Sequence, residues 1–436
     1  MEKDTHPKPR QPESFHLGTL TGLSIVMANM IGTGAFTSLG FQVKTLFLSE
    51  TLLTLWVLGG FIALSGALSY AEVGTHIRKS GGEYAFLSQL YHPLLGYLSG
   101  WISLTVGFTA PIALSAMALI SYFPSAIPQP RLAAVFVIAT ITLVHTRDLK
   151  RSARFQDAST FLKIGLIFLL IGLGIFLPGV GVGPDPKGLT FAGELLSPAF
   201  AIALVFVVYA YSGWNAAAYI SQEFRHPTRS LPIVLVGGTL IVTLLYVLLQ
   251  WVFLKHLPLD EMEGQLHVAT LAARRMLGDQ AASLVGAGIS LSLVSSVSAM
   301  VWVGARITSS MATGHAFLSW FQSKTGHVPV RALWLQGTIS CLLILTGTFE
   351  QILVYCSILI TLSSMLVVIG VFRLRSVGSK ENAFRSPAFP FFQVLYLILT
   401  SWVVVFAFSE KPLESLAGLL NVALGIATYY GRKKAI

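Results

Sequence analysis

The sequence predicts an all-α polytopic membrane protein with twelve transmembrane helices, arranged as a 5+5 inverted repeat in which helices 1 and 6 are broken. Composition is the first observation behind this prediction. Hydrophobic residues make up 54% of the 436 residues and charged residues only 11%, whereas soluble proteins carry about 25% charge. The second observation is that glycines interrupt two of the long apolar segments, at Gly32 and Gly34 in one and at Gly213 in the other.

Twelve apolar segments have lengths of the order needed to cross a bilayer, which takes about 20 residues of helix. Polar, proline-bearing or glycine-bearing stretches separate them. The segments lie near residues 17–43, 51–76, 93–122, 131–146, 155–177, 198–220, 232–255, 281–312, 332–348, 351–373, 387–408 and 414–430.

The basic residues are distributed unevenly between the two sides of this topology. With a cytoplasmic N-terminus, twenty of the 29 Lys and Arg residues fall on the inner side, seven on the outer side and two within spans. Because basic residues concentrate in cytoplasmic segments, we expect both termini in the cytoplasm and the protein in the plasma (inner) membrane. The net charge of +10 therefore reflects topology, and we expect no nucleic-acid partner.

The two interruptions predict unwound backbone in the middle of a span. Glycine weakens a helix, and the helix breaks contain Gly32 and Gly34 in the first span and Ser212 and Gly213 in the sixth. Unwound backbone at membrane depth is tolerated only where protein or a water-filled cavity satisfies its polar groups. Two such breaks in corresponding halves of a repeat indicate a substrate site at the midplane, and hence a secondary transporter. The alternative is that the glycines only permit close helix packing.

The spacing of the breaks defines the expected organisation of the chain. Their glycines lie about 180 residues apart, which suits five helices followed by five inverted helices. We expect a cytoplasmic tail at 1–16, a ten-helix transport core at 17–373, two peripheral helices at 387–430 and a cytoplasmic tail at 431–436.

Four motifs, in order and at consistent spacing, resemble those of the amino acid–polyamine–organocation superfamily. Residues 31–36 (IGTGAF) resemble its first-helix signature, and residues 70–84 (YAEVGTHIRKSGGEY) resemble its loop between the second and third helices. Residues 154–157 (RFQD), followed by Lys163, resemble the fifth helix of the L-type amino-acid transporter branch, and residues 209–215 (YAYSGWN) resemble its sixth helix. The resemblance implies a leucine-transporter-type fold and amino-acid transport.

The breaks offer groups that complement a zwitterionic amino acid. Free N–H groups at the start of a half-helix suit a carboxylate, and the candidates are Thr33, Gly34 and Ala35. Free carbonyls at the end of a half-helix suit an ammonium group, and the candidates are Met27, Ala28, Tyr209, Ala210 and Tyr211. Because these segments carry no carboxylate for a second ammonium group, we expect neutral L-amino acids as substrates.

Several side chains near the breaks are also candidates. The resemblance implies that Tyr209 is an aromatic gate, and a packing tyrosine is the alternative. We expect Asn215 to brace the unwound segment, because an amide in the membrane needs partners. Residues of the third and eighth helices are candidates for the side-chain pocket, with Ser295 also a substrate contact; they are Thr105, Thr109, Ser295 and Met300.

Lys163 lies inside the predicted fifth span, where a charge is expensive. In part of the family that the chain resembles, a lysine stands at this position in place of sodium. The resemblance therefore implies sodium-independent coupling through Lys163, as proton-linked symport or as exchange. Ser298 is a candidate partner, together with Ser295 and Ser296. The alternative is a lysine whose ammonium group reaches the membrane interface.

We expect no cofactor and no metal, because the histidines at the span ends lack metal-ligand spacing. Cys341 and Cys356 lie in apolar segments, so we expect no obligatory subunit linked by a disulfide, as heteromeric members of the family have. The expected partners are an amino-acid substrate, protons and the lipid bilayer.

Two acidic residues, Glu72 and Glu83, flank the basic Arg78 and Lys79 after the second span. A salt-bridged cytoplasmic gate and simple interfacial charges both fit this pattern. A polyamine or cationic amine transporter of the same fold is an alternative function, and so is an amino-acid sensor that does not transport. We expect no enzyme, since no nucleophile–base set or paired carboxylates lie at a shared depth.

Overall fold

The computed structural model describes residues 17–77, 79, 81–125, 127–146, 152–179, 188–323, 328–378 and 383–431. Its regular structure there is helical, apart from an isolated β-bridge between Leu17 and Phe224. The predicted tail at 1–16 and residues 432–436 lie outside the described part.

The described residues form α-helices, and some consecutive short helices are parts of the same interrupted span. They are α1 (Thr19–Met30), α2 (Gly34–Thr37), α3 (Leu39–Gln42), α4 (Ser49–His76), α5 (Gly82–Leu90), α6 (Pro93–Ile102), α7 (Thr109–Tyr122), α8 (Pro130–His145), α9 (Ser152–Phe176), α10 (Phe191–Leu195), α11 (Pro198–Ala210), α12 (Ala216–Tyr219), α13 (Pro227–His256), α14 (Leu259–Met262), α15 (Val268–Leu277), α16 (Asp279–Gly314), α17 (Val330–Thr346), α18 (Phe349–Val377), α19 (Phe391–Glu410) and α20 (Pro412–Tyr430). A π-helical turn, Ser103–Gly107, joins α6 to α7.

By length and composition, seven helical segments of the described chain can each cross a membrane, and shorter apolar helices such as α1, α8, α11 and α17 lie at other predicted spans. Large apolar side chains on α20 are exposed, including Leu413 (74%) and Leu424 (60%). An exposed apolar face of this kind suits contact with lipid. The protein is thus an all-α, integral, multi-pass membrane protein, while the count of twelve spans and the inverted repeat stay predictions.

Both predicted helix breaks are present. α1 ends at Met30 and α2 begins at Gly34. α11 ends at Ala210 and α12 begins at Ala216. The first span therefore loses its helix over three residues and the sixth over five.

Two groups of helices surround the breaks. α13 packs against α1 and α4, whereas α16 packs against α7, α9 and α17. α18 reaches both groups, since it contacts α4 and α7. A continuous apolar core joins these helices, and it holds the broken spans between them.

Local sequence signals set the start of α11, the helix that leads into the sixth-span break. Ser197 caps α11, where its hydroxyl accepts the Phe200 N–H, and Pro198 occupies the first turn. Both are favoured at a helix start, because the serine satisfies a free N–H and proline has none to satisfy. At another helix end, Lys255 of α13 donates to the carbonyls of Gly174, Ile175 and Leu177, where α9 ends.

Candidate functional site

The two breaks lie directly against each other. A Cβ atom at Gly34 would stand 2.6 Å from the Cα atom of Ala210, at the end of α11. A Cβ atom at Gly213 would stand 2.7 Å from the carbonyl oxygen of Asn29, in the last turn of α1. Gly213 also has φ +98°, in the left-handed region that favours glycine. Each break thus contributes a glycine that fits against the end of the other broken helix.

Tyr246 of α13 bridges the two breaks. Its hydroxyl group donates to the Met30 carbonyl at 2.6 Å and lies 3.3 Å from the Ala210 carbonyl. These are the last residues of α1 and α11, where a helix leaves carbonyls without internal partners. The sequence reasoning missed Tyr246, because no motif marks a single tyrosine within an apolar span.

A cavity of about 290 Å³ lies beside the breaks, close to the lower end of the usual range for small-molecule sites. It extends along the α1 side of the first break, where Ile25 and Asn29 line it. On the other side of the break the helices are tied together. Tyr122 donates to the Phe36 carbonyl at 2.7 Å, and Gln250 donates to the Ala35 carbonyl at 2.9 Å.

The structure places many of the predicted site residues on this cavity, but not all. The predicted residues among its lining are Gly32, Thr33, Gly34, Tyr209, Ala210, Ser212, Gly213, Asn215 and Met300. The predicted residues outside its lining are Met27, Ala28, Ala35, Thr105, Thr109, Tyr211 and Ser295. Tyr211 is directed elsewhere, since its hydroxyl donates to the Trp56 carbonyl at 2.9 Å.

At the first break, the second half-helix begins with N–H groups that have no carbonyl partner within the helix. Over the described residues, the N–H groups of Gly34 and Ala35 donate to no backbone carbonyl, as expected for the first residues of a helix. The Met27 carbonyl, by contrast, accepts the Ile31 N–H at 2.9 Å. Since Gly34 lines the cavity and Ala35 does not, the Gly34 N–H is the donor that lies at the cavity, at the start of α2.

The third span contributes through its π-helical turn. Ser103, Gly107 and Phe108 line the cavity, whereas Thr105 bonds to Asn421 of α20. Such turns occur often at functional sites. No sequence pattern signals this turn, because hydropathy does not register one extra residue.

Lys163 of α9 is buried, with 3% of its surface exposed. Its ammonium group donates to the Ser296 hydroxyl of α16 at 2.5 Å. Ser298 lies elsewhere, because its hydroxyl pairs with His145 at 2.8 Å. Of the hydroxyl groups predicted near Lys163, the structure thus brings that of Ser296 into contact.

The two break segments carry no carboxylate, but Glu83 of α5 lines the cavity beside them. It is 5% exposed and accepts a hydrogen bond from Asn215, the last residue of the sixth-span break, at 3.1 Å. Glu72 behaves differently, since it forms a bidentate ion pair with Arg375 of α18 at 2.6 and 2.8 Å. The GGEY part of the loop motif was a usable signal for Glu83.

No group of three His, Cys, Asp or Glu side chains that could hold a metal occurs within the described ranges. The lining of the cavity is otherwise uncharged, with apolar side chains such as Ile102, Met300 and Ile360. This site is suited to binding a small, mostly apolar molecule that carries a few polar groups.

A family model described as amino acid permease matches residues 17–429. The chain is 26% identical to the serine/threonine exchanger SteT of Bacillus subtilis over 96% of this chain and 97% of that protein. It is 28% identical to the mouse b(0,+)-type amino acid transporter 1, over 98% and 90% of the two chains. It is also 26% identical to the human large neutral amino acids transporter small subunit 2, over 95% and 79%.

Proposed function

Because the chain belongs to the amino acid permease family, we propose that it transports neutral L-amino acids across a membrane by alternating access and without sodium. One observation carries this proposal: the two broken helices meet at Gly34 and Gly213 beside a cavity of about 290 Å³. A discontinuous pair of this kind supplies helix ends to a substrate at the membrane midplane.

In this proposal the substrate carboxylate binds at the free N–H groups of Thr33, Gly34 and Ala35, at the positive end of the half-helix. The ammonium group binds near the carbonyls that end α1 and α11, at Met27 and Ala28 and at Tyr209, Ala210 and Tyr211. Ser295 is a further proposed contact. Tyr209 acts as the gate, supported by its place in the lining of the cavity.

Neutral substrates are favoured although Glu83 lines the cavity. Five neutral donors already bind its carboxylate, and a carboxylate offers about four lone-pair sites. A second ammonium group would therefore find no free acceptor there. Glu83 is nevertheless the observation that favours the second candidate, a transporter of polyamines or cationic amines.

Coupling runs through Lys163 in this proposal. Its bond to Ser296 ties α9 to α16, and a protonated lysine can stand where another transporter would hold a sodium ion. Ser298 is the other predicted coupling residue, and its hydroxyl group pairs with His145. Either a proton or a second amino acid drives the cycle. Exchange is supported by the similarity of the chain to SteT, a serine/threonine exchanger.

We further propose cytoplasmic termini in the plasma membrane and the ten-helix repeat described above. The repeat is supported by reciprocal contacts of the two breaks, since Gly34 packs against Ala210 and Gly213 packs against Asn29. The two glycines lie 179 residues apart in the sequence, and the two residues that they contact lie 181 residues apart. No disulfide-linked subunit is required, since Cys341 and Cys356 lie within α17 and α18.

Uptake of labelled amino acids into proteoliposomes tests the proposal. We expect uptake of neutral L-amino acids to persist when choline replaces sodium and to respond to a pH gradient or to internal amino acid. A methyl ester of a substrate should not compete, because it lacks the negative charge. Strict dependence on sodium would overturn the coupling, and competition by putrescine or arginine alone would favour the second candidate.

A further inference from the structure

Glu83 is the one charged residue among the residues that line the cavity. Its five partners come from four elements of the described chain: Tyr70 (2.6 Å), Asn215 (3.1 Å) and Ser364 (3.3 Å) donate to Oε1, and Ser363 (2.6 Å) and Ser99 (3.3 Å) donate to Oε2. Tyr70 belongs to α4, Ser99 to α6, and the two other serines to α18. Asn215 belongs to the unwound part of the sixth span.

The partners of Glu83 share one property. Each of the five carries an N–H or O–H group that can donate, and the bonds from Tyr70 and Ser363 are the shortest, at 2.6 Å. Glu83 also lies in the first turn of α5, where the helix dipole favours negative charge. The site is thus built for a negative acceptor.

Gly81 and Gly82, directly before Glu83, contact the same part of the sixth span at Tyr219. The Gly81 N–H donates to the Tyr219 carbonyl at 2.9 Å. A Cβ atom at Gly82 would stand 2.6 Å from the Tyr219 ring. Both glycines have positive φ, +118° and +54°. Residues 81–83 therefore contact both ends of the stretch 215–219, at Asn215 and at Tyr219.

We propose that Glu83 is a positioning residue for transport: it fixes the unwound segment of the sixth span against α4, α6 and α18, and so sets the rate at which the two breaks exchange between conformations. This inference rests on the proposed function and deepens it. Because its lone pairs are filled by the protein, Glu83 acts through Asn215 and not by contact with substrate.

A pair of substitutions tests this role by moving the negative charge from residue 83 to residue 215, the two partners of one hydrogen bond. Glu83→Gln removes the negative acceptor, and Asn215→Asp places a second carboxylate beside it. Each should lower the maximal exchange rate in proteoliposomes at least about tenfold, the effect of losing a hydrogen bond to a charged group, and change KM less than about threefold. In the double variant the glutamine amide can donate to the aspartate, so part of the lost rate should return, although the four other donors still face a neutral group.

Glu194 of α10 provides a matched control. It is also a buried carboxylate held by neutral donors, the N–H groups of Phe47 and Leu48 at 2.7 and 3.3 Å, but it does not line the cavity. Glu194→Gln should leave the exchange rate within about twofold. An equal loss in this variant, wild-type rates in Glu83→Gln, or a double variant no better than the product of the two single ones would overturn the proposal.

A second measurement needs no substrate. A cysteine replaces Ala216, which lines the cavity, in a chain whose Cys341 and Cys356 are alanine, and a polar maleimide labels it in detergent. Its labelling rate should change at least threefold with Glu83→Gln and return in part in the double variant. An unchanged rate would overturn the role of Glu83. A change in labelling in a protein that exchanges no amino acid would overturn the proposed function alone.

Discussion

The first and sixth spans are both broken, but they are held in different ways. The first break takes its support from other helices, whose side chains donate to its carbonyls: Tyr246 to Met30, Gln250 to Ala35 and Tyr122 to Phe36. The sixth break sends out its own side chains. Tyr211 donates to the Trp56 carbonyl, and Asn215 donates to the Glu83 carboxylate.

The difference follows from what each break exposes. The first break has its carbonyls satisfied from outside, and the N–H group of Gly34 remains at the cavity. The sixth break is longer, contains the left-handed Gly213 and is followed by the four-residue α12. One break therefore leaves a donor for an anion, and the other is held in place by its own side chains. Four predictions test this distinction, in order of decreasing effect.

Gly34→Val should abolish transport while the protein still reaches the membrane. The Cβ atom would stand 2.6 Å from Ala210, and the β-branched side chain would cover the N–H groups that face the ligand. Uptake in proteoliposomes at equal protein measures the effect. Gly172→Val is the matched control, because a Cβ atom there meets no other atom within 4 Å and Gly172 does not line the cavity. Normal transport by Gly34→Val would separate the first break from the substrate.

Gly213→Ala should also impair transport, and it should destabilise the protein by about 1–3 kcal/mol, because alanine is strained at φ +98° and meets the Asn29 carbonyl. The melting temperature in detergent and the uptake rate are measured together. If the melting temperature falls and transport per folded molecule does not, the sixth break supports the fold without taking part in transport.

Lys163→Ala should lower transport at least about tenfold beyond any loss of folded protein, because the ammonium group that binds Ser296 is removed. Ser296→Ala should show a smaller loss in the same assay. Ser298→Ala is the control, since that hydroxyl contacts His145. Equal losses in the two serine variants would contradict the assignment of Ser296, and full activity of Lys163→Ala would favour a lysine that only reaches the interface.

Tyr246→Phe should have the smallest effect, a loss of about 1 kcal/mol of stability and a few-fold loss of transport, the usual worth of one hydrogen bond. The hydroxyl group touches the ends of both broken helices, so substrate affinity and turnover should change together. Tyr97→Phe is the control, because Tyr97 is equally buried but bonds to Thr428, away from the breaks. A larger effect of Tyr97→Phe would mean that the bridge between the breaks contributes little.

Much of this arrangement could be predicted from residue patterns that repeat along the chain. Apolar runs of membrane length and the glycines at 32, 34 and 213 predicted the helices and the place of both breaks. The partners of the breaks could not be predicted in this way. Tyr246 and Glu83 act across more than 130 residues of chain, and a local pattern contains no such pairing. The carboxylate at the cavity was missed because its loop was expected at the membrane surface.

The π-helical turn at Ser103–Gly107 has a consequence for comparing this chain with its relatives. A π turn holds one residue more than an α turn, and one residue corresponds to about 100° of rotation. Deleting a single residue there would turn α7 relative to α6, so that side chains other than Pro111 and Ser115 would line the cavity. Alignments of the third span should therefore treat its two halves as separate registers, because a gap of one position in this turn exchanges the lining of the cavity while the hydropathy profile stays the same.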